Sequence, residues 1–206
     1  CEYFCFRDRP IRPLWHLSER GGKDSRSQVA WDSEICVHIP LRTMPTEAQT
    51  LAHMMDRTRE YTLMYLNKLK DQDPYKWFEC DGKSLNTMYW LVAHMAATQN
   101  GLLLFATGGP GERFSWAKHF MPGAPLQTAD QLPPFADILA TFNAVHTKAI
   151  AHLSTLSEEA LNSPNPTSFT VFGPTLRDVI THAIRHEGSH IGHLGWLCKL
   201  YGIKTM

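Results

Sequence analysis

The chain has no Cys-x-x-Cys pair. Its five cysteines (Cys1, Cys5, Cys36, Cys80, Cys198) are odd in number and scattered, which argues against a disulfide framework and a thiolate zinc site. It fits a reducing compartment, with the cytoplasm as the expectation. Net charge is also missing: 20 Lys and Arg balance 20 Asp and Glu, so neither nucleic acid nor an anionic membrane surface is an expected partner. Every long stretch between prolines carries charged residues, so no segment reads as a membrane span. Runs with a strand period and internal repeats are lacking as well, and what remains is an all-α reading.

At 206 residues the chain is long enough for one domain with a full core, or for a domain with an appendage. Residues 1–43 fit the appendage. Charges of both signs alternate there (Arg7, Asp8, Arg9; Lys23, Asp24, Arg26), prolines interrupt, and no helical or strand period persists. No apolar signal-peptide core is present, and the acidic residues argue against a transit peptide. The expectation is a flexible or non-native extension over 1–43, with the domain running from Met44 to Met206.

Prolines divide the domain into four long windows, 46–73, 75–109, 135–163 and 175–206, because helix interiors exclude them. In the first, Leu51, Met54, Met55, Thr58, Tyr61, Thr62, Tyr65, Leu66 and Leu69 repeat at three and four, the pattern of a core-facing helix capped by Thr46. The second begins near Ser84 after a Cys80-Asp81-Gly82 turn. It places Leu85, Met88, Leu91, Val92, Met95 and Leu102 inward, His94 among them, and Gly108-Gly109-Pro110 stops it. Residues 109–133 form a long connection with Phe114, Trp116 and Phe120. The third helix follows Pro133-Pro134, with Phe135, Ile138, Leu139, Phe142, Val145, Ala149, Ile150 and Leu153 inward. The fourth opens on a capping-box-like Thr175-Leu-Arg-Asp178 and stops at Gly202. Four such helices, with a long connection between the second and third, predict a four-helix bundle.

Bundles of this kind build metal and cofactor sites between facing helices. The last helix carries His182, His186, His190 and His193, at spacings of four, four and three, near one stripe. The pair His186 and His190 sits roughly 5–6 Å apart on a helix, close enough to share one divalent cation. About 0.6 such pairs are expected by chance from the histidine count, but only about 0.03 of the fuller pattern His186-Glu187-x-x-His190. That pattern is shared with zinc proteases, yet no Asp or Glu follows His190, and the longer protease motif would need Gly at 193 and His at 196. A third ligand must come from elsewhere. His94 is the leading candidate, while His53, His146 and His152 are further ones, and His182 or His193 could close a fourth position.

The stretch Thr175-Leu-Arg-Asp-Val-Ile-Thr-His-Ala-Ile-Arg-His186-Glu-Gly-Ser-His190-Ile-Gly-His-Leu resembles the closing helix of the DinB-like (damage-inducible) four-helix-bundle family. Ser84-Leu-Asn-Thr-Met-Tyr-Trp-Leu-Val-Ala-His94-Met-Ala resembles that family's second helix, which contributes one histidine. The likeness covers about Met44 to Met206. It implies a three-histidine site, mapping onto His94, His186 and His190, and thiol-dependent transferases, isomerases and hydrolases as the relevant activities. Arg and Gln often flank the glycine after the last histidine in that family, whereas Ile191 and His193 stand there in this chain.

Three neutral imidazoles suit zinc, nickel or iron. The expected function is a metal-dependent transfer or hydrolysis on a small molecule, with water or a low-molecular-weight thiol as nucleophile. Glu187 is the candidate general base, although on an ideal helix it points about 100° away from His186. Arg177 and Arg185 are candidate anion-binding groups. The alternative is a non-catalytic bundle that binds a ligand or dimerises, its histidines packing the core or holding a structural cation. A homodimer through helix faces is a further expectation.

Overall fold

Helix α1, Glu47–Lys68, begins where the sequence predicts. The Thr46 hydroxyl accepts the Gln49 N–H and the Gln49 side chain accepts the Thr46 N–H, which closes a capping box. This computed structural model describes residues 44–124 and 132–205; the extension expected over 1–43 lies outside them. Along α1 the buried line runs through Leu51, Met55, Arg59, Thr62 and Leu66. Met54 and Tyr61, expected inward, are 50% and 52% exposed. They lie on the neighbouring stripe, and the charged Arg59 takes an inward place that an apolar count passes over.

Ser84, expected to open the second helix, instead belongs to a short hairpin. Strand β1, Glu79–Cys80, pairs antiparallel with β2, Lys83–Ser84. Asp81 and Gly82 have φ of 49° and 70°, the conformation that an Asp-Gly hairpin turn requires. Strands of two residues show no alternation, so only the turn was readable. Helix α2, Met88–Asn100, starts after Thr87, whose hydroxyl accepts the Trp90 N–H at 3.1 Å. A wide π turn, Gly101–Phe105, prolongs it, and Gly108 at φ 74° lets the chain leave.

Beyond the π turn the chain returns to the start of α3, Phe135–Leu153. This crossover includes a 3₁₀ turn, Ala117–Phe120, and an aromatic group in which Phe114 stacks on Trp116 and Trp116 meets Phe120 edge-on. The third window of the sequence is divided, since α3 ends at Leu153 and a separate short helix, α4, spans Glu158–Asn162. Helix α5, Leu176–Leu200, opens on the expected Thr175–Asp178 capping box, and Gly202, at φ 73°, follows it.

Helices α1, α2, α3 and α5 form the bundle. Helix α1 lies between α5 and α3, and α2 lies between the same two on the other side. Contacts fix the directions. Glu47 meets Arg177, Arg59 meets Glu187 and Lys68 meets the Lys204 carbonyl, so α1 and α5 run parallel. Tyr89 with Phe135, Gln99 with His146, and the Thr107 carbonyl with His152 make α2 and α3 parallel. Across the two pairs the helices are antiparallel, as Asp56 with His146 and Arg59 with the Phe142 carbonyl show. A parallel step from α2 to α3 must be undone by a connection spanning the roughly 27 Å rise from Met88 to Phe105. The expected long connection between helices 2 and 3 is that return.

Apolar side chains gather at both ends of the bundle. One cluster holds Leu66, Leu91, Met95, Ile138, Phe142 and Leu197, and the other Leu51, Leu103, Val145, Leu153 and Ile180. Between them, each helix contributes polar residues: Arg59 and Thr62, His94 and Gln99, His146, Glu187 and His190, all buried. Among the described residues no helix is long and apolar enough to cross a membrane.

Candidate metal centre

The polar layer has two parts, and α5 belongs to both. Residues one apart on a helix point about 100° apart. With α5 lodged between α1 and α2, Glu187 turns to α1 while His186 and His190 turn to α2.

Toward α1, the Glu187 carboxylate is held bidentately by Arg59, with Nε–Oε1 2.7 Å and Nη2–Oε2 3.0 Å. The Thr62 hydroxyl donates a third bond at 2.8 Å. The guanidinium also donates to the Gln99 side chain at 2.7 Å and the Phe142 carbonyl at 3.1 Å, and lies 3.4 Å above the Phe142 ring. Gln99 donates to His146 Nδ1, and His146 Nε2 reaches Asp56, each at 3.0 Å. This network ties all four bundle helices together. Its members are fully satisfied: among the described residues no buried side-chain nitrogen or oxygen lacks a partner. The expectation that Glu187 is a general base therefore needs correction in geometry, because its carboxylate faces Arg59 and Thr62 and not the histidines.

Toward α2, the imidazoles of His94, His186 and His190 converge. One donor atom from each lies within 4.8 Å of the others. His186 Nε2 is 3.0 Å from His94 Nε2 and 3.1 Å from His190 Nε2. Two nitrogens bound at ~2.0–2.1 Å to one tetrahedral cation sit about 3.3–3.4 Å apart, so these spacings are within a few tenths of an ångström of a shared site. His94 Nδ1 lies 2.6 Å from the Phe120 carbonyl. A carbonyl only accepts, so Nδ1 carries the proton and the neutral ring turns an Nε2 lone pair toward its neighbours.

Burial keeps the three rings uncharged. It lowers His94 below the ordinary histidine value, against the pull of the Phe120 carbonyl. His186 is pushed down to about 4, by burial first and then by His94 and His182. His190 falls to about 3, again by burial first and then by His186, His94 and His193. Neutral imidazole is the form that binds a metal. Donor type, tautomer, protonation and spacing thus all suit a divalent cation. Trp90 walls the group, stacked on His94 with centroids 4.6 Å apart and edge-on to His190 at 6.5 Å.

The remaining sequence candidates lie apart from the cluster. His182 stacks on Phe172 at 3.9 Å, and His193 is exposed with its Nδ1 3.1 Å from His190 Nδ1. Among the described residues neither joins the three as a further ligand. His53 is exposed on α1, His146 belongs to the Arg59 network, and His152 bonds the Thr107 carbonyl. Arg177 pairs with Glu47 and Asn162 and pins the start of α5 to α1, while Arg185 is exposed. Sequence reasoning missed Arg59, Gln99, Trp90 and the Phe120 carbonyl. Arg59 had a signal, four residues from Met55 and three from Thr62. The carbonyl had none, since any residue has one and its neighbour is 26 residues away.

No match was found among curated proteins. A family model described as the DinB superfamily matches residues 54–194, from the first turns of α1 to past His190, and so includes the three histidines. With more than half its length covered by that match, the chain belongs to the DinB superfamily.

Proposed function

We propose that the chain is a metal-dependent enzyme acting on a small molecule, with a divalent zinc, nickel or iron ion held by His94, His186 and His190. The observation that carries this reading is the cluster itself, three converging imidazoles with no fourth His, Cys, Asp or Glu among the described residues. A structural site closes its coordination with protein ligands, whereas a catalytic one keeps a position for water or substrate. When bound, such a cation supplies the Lewis acidity that brings the pKa of a water or thiol toward neutrality.

The chain's own residues prepare the site. Phe120 fixes the His94 ring, and Trp90 shields the flank formed by His94 and His190. The Arg59–Glu187 pair sets the rotation of α5, so that both its histidines reach α2. With Glu187 occupied in that way, a proton leaving the nucleophile passes to solvent or to a histidine beside the cluster. Transfer to or from a low-molecular-weight thiol and hydrolysis are the reactions this arrangement suits.

Elemental mass spectrometry on untagged protein tests the reading, wild type beside His190→Ala. The expected result is about one zinc, nickel or iron per chain, lost in the variant, followed by turnover in a screen of thiol-transfer and hydrolysis substrates. No metal in the wild type, even after incubation with these ions, would overturn it. Metal bound without turnover would favour a structural cation in a non-catalytic bundle.

A further inference from the structure

Beyond His190, the stripe of α5 that carries the histidines does not end. His193, Leu197 and Leu200 continue it at intervals of three, four and three, with Trp196 alongside. The end of α1 still accompanies α5 here, with Lys68 reaching the Lys204 carbonyl, while on another side the hairpin and the segment after it lie across from α5. Between them is a cavity of about 440 Å³, walled by Leu85, Trp196, Leu197 and Leu200, with Ser84 and His193 among its polar groups. That volume lies within the range of small-molecule sites, roughly 300–1,000 Å³, as does the pairing of apolar walls with a few polar groups. It is too small for a folded partner.

Two observations connect the cavity to the histidine cluster. His193 lines it, and the same ring stands 3.1 Å from His190, Nδ1 to Nδ1. Leu197 is seven residues beyond His190, a rise of about 10 Å on the same helix face. We propose that the cavity between the β1–β2 hairpin and the end of α5 binds the apolar or aromatic body of a small amphiphile, whose polar or anionic end is directed past His193 to the three histidines. The hairpin is then one wall of a binding site. The link to the histidines rests on the metal-site reading above; the cavity's binding of an apolar body does not.

The two parts are tested separately. Metal-free full-length chain is titrated with 1-anilinonaphthalene-8-sulfonate, an anionic aromatic probe, and the dye is displaced with n-alkanols from propanol to octanol. One saturable dye site per chain is expected, with displacement improving about fourfold for each added methylene. Leu200→Arg and Ser84→Trp, both at exposed positions, weaken dye binding tenfold or more, while Met54→Lys on the far surface of α1 leaves it unchanged. Thermal unfolding of each variant confirms that it folds. Dye binding that is absent, or that neither cavity substitution weakens, overturns the cavity. Zinc-loaded protein is then titrated with n-alkanethiols of two to eight carbons. The same increment per methylene, abolished by Leu200→Arg, supports the link; affinities independent of chain length overturn it. A chain that takes up no metal yet passes the dye test contradicts only the metal-site reading.

Discussion

The His94 ring and the Phe120 carbonyl meet at 2.6 Å, joining α2 to the crossover that returns the chain to α3. The bond orients one of the three clustered imidazoles through a group with no side-chain identity. Phe120 itself is 2% exposed and packs edge-on against Tyr89 and Trp116, so its ring is what holds the carbonyl in place.

Phe120→Ala should therefore have two effects. Loss of the buried ring costs about 3–5 kcal/mol of stability, and loosening the carbonyl weakens zinc binding by about 10–100-fold. Urea unfolding and competitive zinc titration measure them independently, and Phe120→Leu should recover most of the zinc affinity. A destabilised Phe120→Ala protein that binds zinc as tightly as wild type would refute the orienting role.

Arg59 and Glu187 form a desolvated pair, so removing one partner leaves the other charge buried. Glu187→Gln or Arg59→Met should each destabilise the metal-free protein by about 3–5 kcal/mol. The double replacement Arg59→Met with Glu187→Gln should cost less than the two single losses together, by about 0.5–3 kcal/mol. Additive losses in a double-mutant cycle would show that the pair is not coupled.

Acid should weaken the metal-free fold before its carboxylates titrate. Unfolded, His186 and His190 take up protons near the ordinary histidine value of 6.5, while in the fold they do so only near 4 and 3. Between those limits the unfolded chain binds more protons, so stability is fully present above about pH 6.5 and declines as pH falls toward 3. Glu47 is held below its usual range by the Arg177 bond, and Asp178 by its bonds from Thr175. These two act in a more acid window. Urea midpoints at pH 8, 6.5, 5.5 and 4.5 should fall steadily, and less steeply in the His186→Ala, His190→Ala double variant. A flat profile across that range would contradict the burial argument.

Thr175 stabilises the start of α5 without touching the histidines, which lie three to four turns further on. Thr175→Ala should lower stability by about 1 kcal/mol and leave zinc affinity unchanged, and Thr175→Ser should restore most of the loss. A change in zinc affinity measured by titration would mean that the cap also sets the register of α5.

The sequence by itself determined the four long bundle helices, the caps at Thr46 and Thr175, the stop at Gly202 and the place of the long crossover, because these depend on neighbours within a few residues, but not the short α4 split off from the third window. It also pointed to His94, His186 and His190, two by their spacing on one helix and the third by its inward place on the second helix, which the family resemblance reinforced. Tertiary structure decided what spacing leaves open. In α1 the neighbouring stripes through Met54 and Met55 are both plausible from hydropathy, and only packing against α3 and α5 buries Arg59 and exposes Tyr61. Glu187 has the right neighbours for a catalytic base, yet the 100° step of the helix and the position of α1 commit its carboxylate to Arg59 and Thr62. The physical reason is the same in both cases. A helix determines which residues share a face, but which face meets which neighbour is decided by burial and charge pairing across elements far apart in sequence.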